Sequence, residues 1–83
     1  MINVLYFASL RDRIESSGEE MALPDTPTIE GITDLLIARG GVWSEAFGGK
    51  TRVLAAINQE MAKPEDSVND GDEVAFFPPV TGG

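Results

Sequence analysis

The residues best suited to do chemistry are the last two, Gly82 and Gly83, which end the chain in an unhindered carboxylate. Glycine has no Cβ, so such an end can enter a narrow channel and adopt backbone angles that other residues avoid. A carboxylate is a poor electrophile and needs activation before transfer, typically as an acyl-adenylate made with ATP. The sequence therefore predicts a carboxylate that is delivered into the active site of another protein.

Two prolines separate these glycines from an apolar run that ends in Phe76 and Phe77. Pro78 and Pro79 have no N–H group, so a strand that reaches them must stop there. Proline also favours extended geometry in the residue before it. We therefore predict an extended tail over residues 78–83, with a reach of roughly 15–20 Å at about 3.3 Å per residue. The alternative is an inert, frayed terminus.

Composition removes several classes of function. The chain has neither cysteine nor histidine, which excludes thiolate metal sites, disulfides and a histidine base. The net charge of −8 disfavours nucleic acid and anionic membranes as partners. No apolar run approaches the ~20 residues that span a bilayer, and no signal-peptide pattern opens the chain. We expect a soluble, cytoplasmic protein of one domain, residues 1–83, with no bound cofactor or metal.

The sequence from Gly49 to Thr51 resembles the end of a phosphate-binding P-loop. That motif needs a glycine five residues before Gly49, where this chain has Ser44. It also joins a strand to a helix, whereas Lys50 follows a predicted helix and precedes a strand. The sequence therefore gives little support for nucleotide binding at Lys50.

The acidic residues within 66–73 suggest a calcium-binding loop as one interpretation. If Gly71 is the sixth residue of an EF-hand loop, the third is Val68 and the twelfth is Phe77, and neither is a ligand. The segment is better interpreted as a solvated turn, with Asp70 and Gly71 at its tip.

The elements that must position the tail begin with a strand over residues 2–8, which is rich in β-branched and aromatic side chains. Its alternation places Ile2, Val4 and Tyr6 on one face and Asn3, Leu5 and Phe7 on the other. A polar connection follows, with one helical turn that brings Leu10 and Ile14 together. A short strand over residues 20–23 completes a hairpin with a long loop.

The predicted main helix begins after Thr28, an N-cap candidate, and ends at Gly40 and Gly41. Its apolar face is formed by residues at helical spacing, namely Ile29, Ile32, Leu35 and Leu36. Trp43 and Phe47 suggest one more short helix.

Three further strands are predicted, over residues 53–57, around Met61 and over residues 73–77. In the last strand, Val74 and Phe76 should face the core, while Ala75 and Phe77 should face outward beside Leu5 and Phe7. An α+β fold follows, with a mixed sheet and one long helix packed across one face. The outward apolar patch is a candidate docking surface.

Three segments together resemble a known family. Residues 70–83 (DGDEVAFFPPVTGG) resemble the C-terminal signature of the sulfur-carrying small subunits of molybdopterin synthase. Residues 54–59 resemble the central strand and turn of that family, and residues 2–8 resemble its opening strand. The resemblance covers the whole chain and implies a ubiquitin-like β-grasp fold.

The resemblance also implies a mechanism in which the chain is not catalytic by itself. An adenylating enzyme of the ubiquitin-activating type would consume ATP to convert the Gly83 carboxylate to an acyl-adenylate. A sulfur donor, a sulfurtransferase, would then leave a thiocarboxylate. The tail, Pro78, Pro79, Val80, Thr81, Gly82 and Gly83, would insert into the large subunit, which holds the catalytic residues.

Sulfur would then pass to cyclic pyranopterin monophosphate to build the dithiolene of molybdopterin, within a heterotetramer of two small and two large subunits. By position, the family resemblance assigns partner contacts to Phe7, Met61 and Phe77. A sulfur carrier for thiamine or another pathway, a ubiquitin-like modifier joined to lysines, and a binding module with an inert tail remain alternatives.

Overall fold

The computed structural model describes residues 1–49 and 52–79 of the 83-residue chain. Within these ranges five strands form one sheet and three helices cover one of its faces. The strands are β1 (Ile2–Tyr6), β2 (Gly18–Met21), β3 (Leu54–Ile57), β4 (Glu60–Ala62) and β5 (Glu73–Phe77). The helices are α1 (Ala8–Ile14), α2 (Ile29–Ile37) and α3 (Gly41–Gly48). The predicted α+β class with a mixed sheet is confirmed.

The sheet has the strand order β2-β1-β5-β3-β4. The central strands β1 and β5 are parallel, and every other neighbouring pair is antiparallel. Because β1 and β5 run in the same direction, both end at the same edge of the sheet. That edge is where the chain leaves β5 toward its C-terminus.

The core lies between the sheet and the helices, and the predicted alternation of β1 and β5 is confirmed. Val4 and Val74 have no exposed surface, and Tyr6 and Phe76 expose 1% each. The rings of Tyr6 and Phe76 stack with centroids 6.4 Å apart, and Phe47 meets Phe76 edge-on at 5.3 Å. Aromatic pairs in these arrangements add stability beyond the area that they bury. The short helix predicted from Trp43 and Phe47 is α3.

The predicted start of α2 is confirmed, because Thr28 has extended backbone and its hydroxyl accepts a hydrogen bond from the Gly31 N–H. Gly31 is required there, since a Cβ at this position would lie 1.9 Å from the carbonyl oxygen of Thr26. The prediction for Leu35 was wrong: 46% of this side chain is exposed. The helix is only nine residues long and buries the narrower row of Ile29, Gly31, Ile32 and Leu36.

The helix layer differs from the single long helix that the sequence predicted, since α1 and α3 are nearly as long as α2. Residues 8–14 form a complete helix rather than one turn, with Leu10 and Ile14 buried. The second strand also begins two residues earlier than predicted, at Gly18, because Leu5 pairs with Gly18 and Ile2 with Met21. A Cβ at position 18 would lie 2.6 Å from the carbonyl oxygen of Val4, so this pairing requires glycine.

A two-residue turn joins β3 to β4. Asn58 and Gln59 both have positive φ, 49° and 70°. The side chain of Asn58 accepts a hydrogen bond from the Glu73 N–H and donates one to Asp72, each at 3.0 Å. This turn therefore also fixes the start of β5. Gly71, at the tip of the predicted Asp70–Gly71 turn, has φ 89°, as that turn requires.

Candidate functional site: an apolar face beside the end of β5

The face of the sheet away from the helices carries a row of apolar residues at one level. Leu5 pairs with Ala75, Ala75 with Ala56, and Ala56 with Met61. Paired residues of neighbouring strands project to the same side of a sheet. These four residues therefore share one face across four strands.

A second row lies one step closer to the edge where the tail leaves. Phe77 pairs with Leu54 in the register that joins β5 to β3. Phe7 continues β1, since its backbone is extended and its N–H donates to the carbonyl oxygen of Phe76 at 3.1 Å. Alternation places its side chain on the same face as Leu5, at the level of Phe77. We call the two rows together the open face: Leu5, Ala75, Ala56, Met61, Phe7, Phe77 and Leu54.

Large side chains stand around a floor of small ones on the open face. Phe7 is 44% exposed and Met61 is 66% exposed, whereas Leu54 and Phe77 are half-buried. Ala56 and Ala75 expose only 7% and 9%, because their larger neighbours shield them. Two exposed apolar side chains, Phe7 and Met61, thus lie beside two shielded alanines, an apolar surface of the kind that marks a protein interaction site.

The structure places all three predicted contact residues, Phe7, Met61 and Phe77, on the open face. It adds Leu54 and Ala56, which the sequence analysis did not assign to this face. Only the pairing of β3 with β5 and β4 shows that these two belong there, and that register depends on long-range contacts. The alternation within residues 53–57 gave their parity relative to each other but not the side of the sheet.

The route to the tail also follows the prediction as far as it is described. β5 ends at Phe77, and Pro78 and Pro79 follow outside any strand, both half-buried. Proline cannot supply the N–H that a further ladder step needs. The remaining tail residues, Val80, Thr81, Gly82 and Gly83, lie outside the described residues. Lys50 and Thr51 of the P-loop-like segment also lie outside them.

Acidic side chains gather at the opposite end of β5. Asp72 accepts a hydrogen bond from the Asn69 N–H at 2.8 Å and another from the Asn58 amide at 3.0 Å. These bonds hold the pKa of the Asp72 carboxyl below its usual value, the bond from Asn69 most strongly. Asp70 pairs with the N-terminal ammonium group of Met1. The acidic segment is thus a turn with Asp70 exposed at its tip, as the sequence predicted, and hydrogen bonds to Asp72 hold it in place.

Neither a metal-binding cluster nor a membrane-spanning helix is present in the parts of the chain that the structure describes. In the described ranges, no group of three or more acidic side chains is arranged to hold a metal ion. No helix in the same ranges is long and apolar enough to cross a membrane.

Comparison with known proteins decides the family. The model of the ThiS family matches residues 4–83, almost the entire chain. The chain belongs to the ThiS family. Among curated proteins, this ThiS-family chain is 44% identical to the molybdopterin synthase sulfur carrier subunit of Escherichia coli over 84 residues, which cover 100% of both chains. It is 42% identical to the Haemophilus influenzae protein of the same name, again over 100% of both.

Solved structures agree with this fold. SAMP1 from Haloferax volcanii matches with a TM-score of 0.78 at 24% identity, over 99% of this chain and 98% of that one. A Pyrococcus furiosus protein matches with a TM-score of 0.75 at 27% identity, over 95% and 97%. A complex of subunits 1 and 2 of the molybdopterin-converting factor from Helicobacter pylori contains a chain that matches at 0.64 and 20% identity, over 99% and 97%. The ThiS-family chain therefore has the ubiquitin-like fold that the family resemblance implied.

Proposed function

We propose that this chain is the sulfur carrier subunit of a molybdopterin synthase. The observation that carries the proposal is the position of Pro78 and Pro79, directly after β5 and beside the exposed apolar face. Full-length identity of 44% and 42% to two subunits of that name supports the same function. An apolar docking surface next to the point where the chain leaves the sheet suits a protein that hands its terminus to a partner.

The chemistry begins at the Gly83 carboxylate, which we propose is activated by a separate adenylating enzyme. One carboxylate oxygen attacks the α-phosphorus of ATP, pyrophosphate leaves, and an acyl-adenylate forms. A sulfur donor at the oxidation level of sulfide then attacks the carbonyl carbon and AMP leaves. The product is a Gly83 thiocarboxylate. This route carries sulfur without a cysteine, and the chain contains none.

Transfer takes place in the large subunit, into which residues 78–83 insert. The carbon–sulfur bond of the thiocarboxylate breaks, sulfur joins cyclic pyranopterin monophosphate, and water restores the Gly83 carboxylate. A dithiolene has two sulfur atoms, so two charged carriers are consumed for each product. The open face docks on the large subunit through Phe7, Met61 and Phe77, within a heterotetramer of two small and two large subunits in the cytoplasm. A related precedent is the Helicobacter pylori complex of subunits 1 and 2.

Intact-mass spectrometry tests the first step. The purified chain is incubated with the adenylating enzyme, ATP and a sulfide source, and should gain about 16 Da as oxygen is replaced by sulfur. The matched control is a chain that lacks Gly83, which should gain no mass. An unchanged mass for the full chain, with an adenylating enzyme proven active on a known substrate, would contradict the proposal.

The second step separates this function from its alternatives. The charged chain is mixed with the large subunit and cyclic pyranopterin monophosphate, and molybdopterin should form in a ratio of about one molecule to two carriers. A thiocarboxylate that forms but yields no molybdopterin would point to thiamine synthesis or another sulfur pathway. Isopeptide-linked conjugates on blots of cell lysate would instead indicate a ubiquitin-like modifier.

A further inference from the structure

The passage from β1 to α1 contains no loop residues. The strand ends at Tyr6, Phe7 is the N-cap of the helix, and α1 begins at Ala8. The N–H of Phe7 still belongs to the sheet, where it donates to the carbonyl oxygen of Phe76 at 3.1 Å. The carbonyl oxygen of Phe7 already belongs to the helix, where it accepts from the Arg11 N–H at 3.3 Å. One residue is therefore held by both elements.

Ala8 makes the change of direction possible. Its φ is 55°, whereas residues with a Cβ strongly prefer negative φ. Such a conformation costs free energy in a non-glycine residue without a side chain that favours it, and it persists only when the surroundings impose it. Ala8 is itself exposed, so its side chain contributes little to the core.

Buried residues anchor both sides of this junction, and Phe7 lies exposed between them. On the helix side, Leu10 and Ile14 are buried at 4% and 7% exposure and anchor α1. On the strand side, Tyr6 is 1% exposed and its N–H donates to the carbonyl oxygen of Ser17 at 3.1 Å, whereas the Phe7 side chain is 44% exposed. If Ala8 relaxed to negative φ, the compensating change would fall on Phe7, which lies exposed between these buried anchors. The orientation of Phe7 relative to Phe77 thus depends on the backbone of Ala8.

We infer that Ala8 is a positioning residue, whose positive φ holds the Phe7 side chain on the open face in the geometry that the large subunit recognises. This inference rests on the proposed function. This role does not require the Ala8 side chain itself to contact the partner. It acts by fixing the position of Phe7 before docking, so that little conformational entropy is lost when the partner binds.

Backbone preference at position 8 can be changed without touching the core. Ala8→Gly accepts positive φ freely, whereas Ala8→Val resists it because valine is β-branched. Affinity for the large subunit is measured by isothermal titration, beside the circular dichroism spectrum and melting curve of each variant. We expect Ala8→Gly to bind within about two-fold of the parent and Ala8→Val at least five-fold more weakly.

A double-mutant cycle then separates positioning from general damage. Phe7→Ala should weaken binding, and adding Ala8→Val to it should cause no further loss, because the positioned side chain is gone. If Ala8→Val weakens binding equally in both backgrounds, or not at all, the inference is wrong. If Phe7→Ala itself leaves binding unchanged, the proposed docking face fails instead.

If Ala8→Val fails to fold, a synthetic chain with D-alanine at position 8 tests the positioning role instead. D-alanine has the same side chain but prefers positive φ, so it should fold and bind at least as tightly as the parent. Weaker binding by this folded chain would overturn the inference.

Discussion

Arg39 binds Glu19 through two parallel hydrogen bonds, from Nη1 to Oε2 at 2.8 Å and from Nη2 to Oε1 at 2.6 Å. The Tyr6 hydroxyl also donates to Oε2 of Glu19, at 3.0 Å. The guanidinium carbon of Arg39 lies 4.4 Å from the ring centroid of Trp43. The Arg39 guanidinium thus joins β1, β2 and α3 on the side of the sheet opposite the open face.

Replacing Arg39 with alanine should destabilise the protein by about 1–2 kcal/mol. The loss combines a partly exposed ion pair with a cation–π contact, each worth roughly 0.5–1 kcal/mol. Urea unfolding followed by tryptophan fluorescence measures it. Arg39→Lys is the matched control, since it keeps the charge but cannot make both hydrogen bonds, and should recover less than half of the loss. Full recovery by lysine would show that charge alone matters.

The same cluster makes stability depend on pH. The hydrogen bonds from Arg39 hold the pKa of Glu19 below its ordinary value of 4.5, against the opposing effect of burial. A group with a lowered folded pKa stabilises the protein above its unfolded pKa, and this contribution disappears as pH falls through the folded value. The gap in unfolding free energy between the parent and Glu19→Gln should therefore be constant from pH 6 to 8 and shrink below about pH 4.5. A gap that widens in acid would contradict this assignment.

The turn between β3 and β4 predicts a stabilising substitution. Gln59 has φ 70°, which glycine adopts without strain and which the second position of such a hairpin favours. Gln59→Gly should raise the unfolding free energy by about 0.5–1 kcal/mol, measured by urea titration. Asn58→Gly is the contrast: its backbone benefit is smaller, because asparagine already tolerates positive φ, and it loses the side-chain bonds to Asp72 and Glu73, so it should destabilise. Equal effects at both positions would contradict this account.

Local signals account for the parts of the fold that the sequence predicted correctly. Alternation in β1 and β5 needs only neighbouring residues, and so do the Thr28 cap and the turn at Asp70 and Gly71. The same alternation placed Phe7 and Phe77 on the open face. These elements together determine most of the candidate docking site.

The features of the fold that the sequence did not predict depend on long-range contacts. Helix α1 is only seven residues long, and such a helix is stable only through the burial of Leu10 and Ile14 against the sheet. The register of β2 depends on close packing of Gly18 against β1, and the Glu19–Arg39 pair joins residues twenty positions apart. The placement of Leu54 and Ala56 likewise depends on strand pairing.

Gly31 should resist substitution although it lies in a helix. Alanine normally stabilises a helix interior relative to glycine by about 1 kcal/mol. Here the new Cβ would meet the Thr26 carbonyl oxygen at 1.9 Å, so the chain before the helix must shift. We expect Gly31→Ala to destabilise by about 2–3 kcal/mol in urea titrations. Asp34→Ala, at an exposed site of the same helix, should change stability by less than about 0.5 kcal/mol.

Because Phe77 lies on the open face, we expect Phe77→Ala to weaken binding of the large subunit by about 1–3 kcal/mol. Phe77 is the last residue of β5 and lies on the open face directly before the prolines, so its truncation removes an aromatic contact at the base of the tail. The side chain is half-buried and outside the core cluster, so the domain should remain folded. Isothermal titration gives the affinity, and circular dichroism reports the fold.

Leu35→Ala is the matched control for Phe77→Ala, because Leu35 is also an exposed apolar residue but lies on the outer side of the helix layer. If the large subunit binds only the open face, truncating Leu35 should change the free energy of binding by less than about 0.3 kcal/mol. Equal losses from both variants would show that binding responds to surface hydrophobicity in general. Unfolding of the Phe77 variant would show that this ring supports the domain itself, and the docking role would then pass to the more exposed Phe7 and Met61.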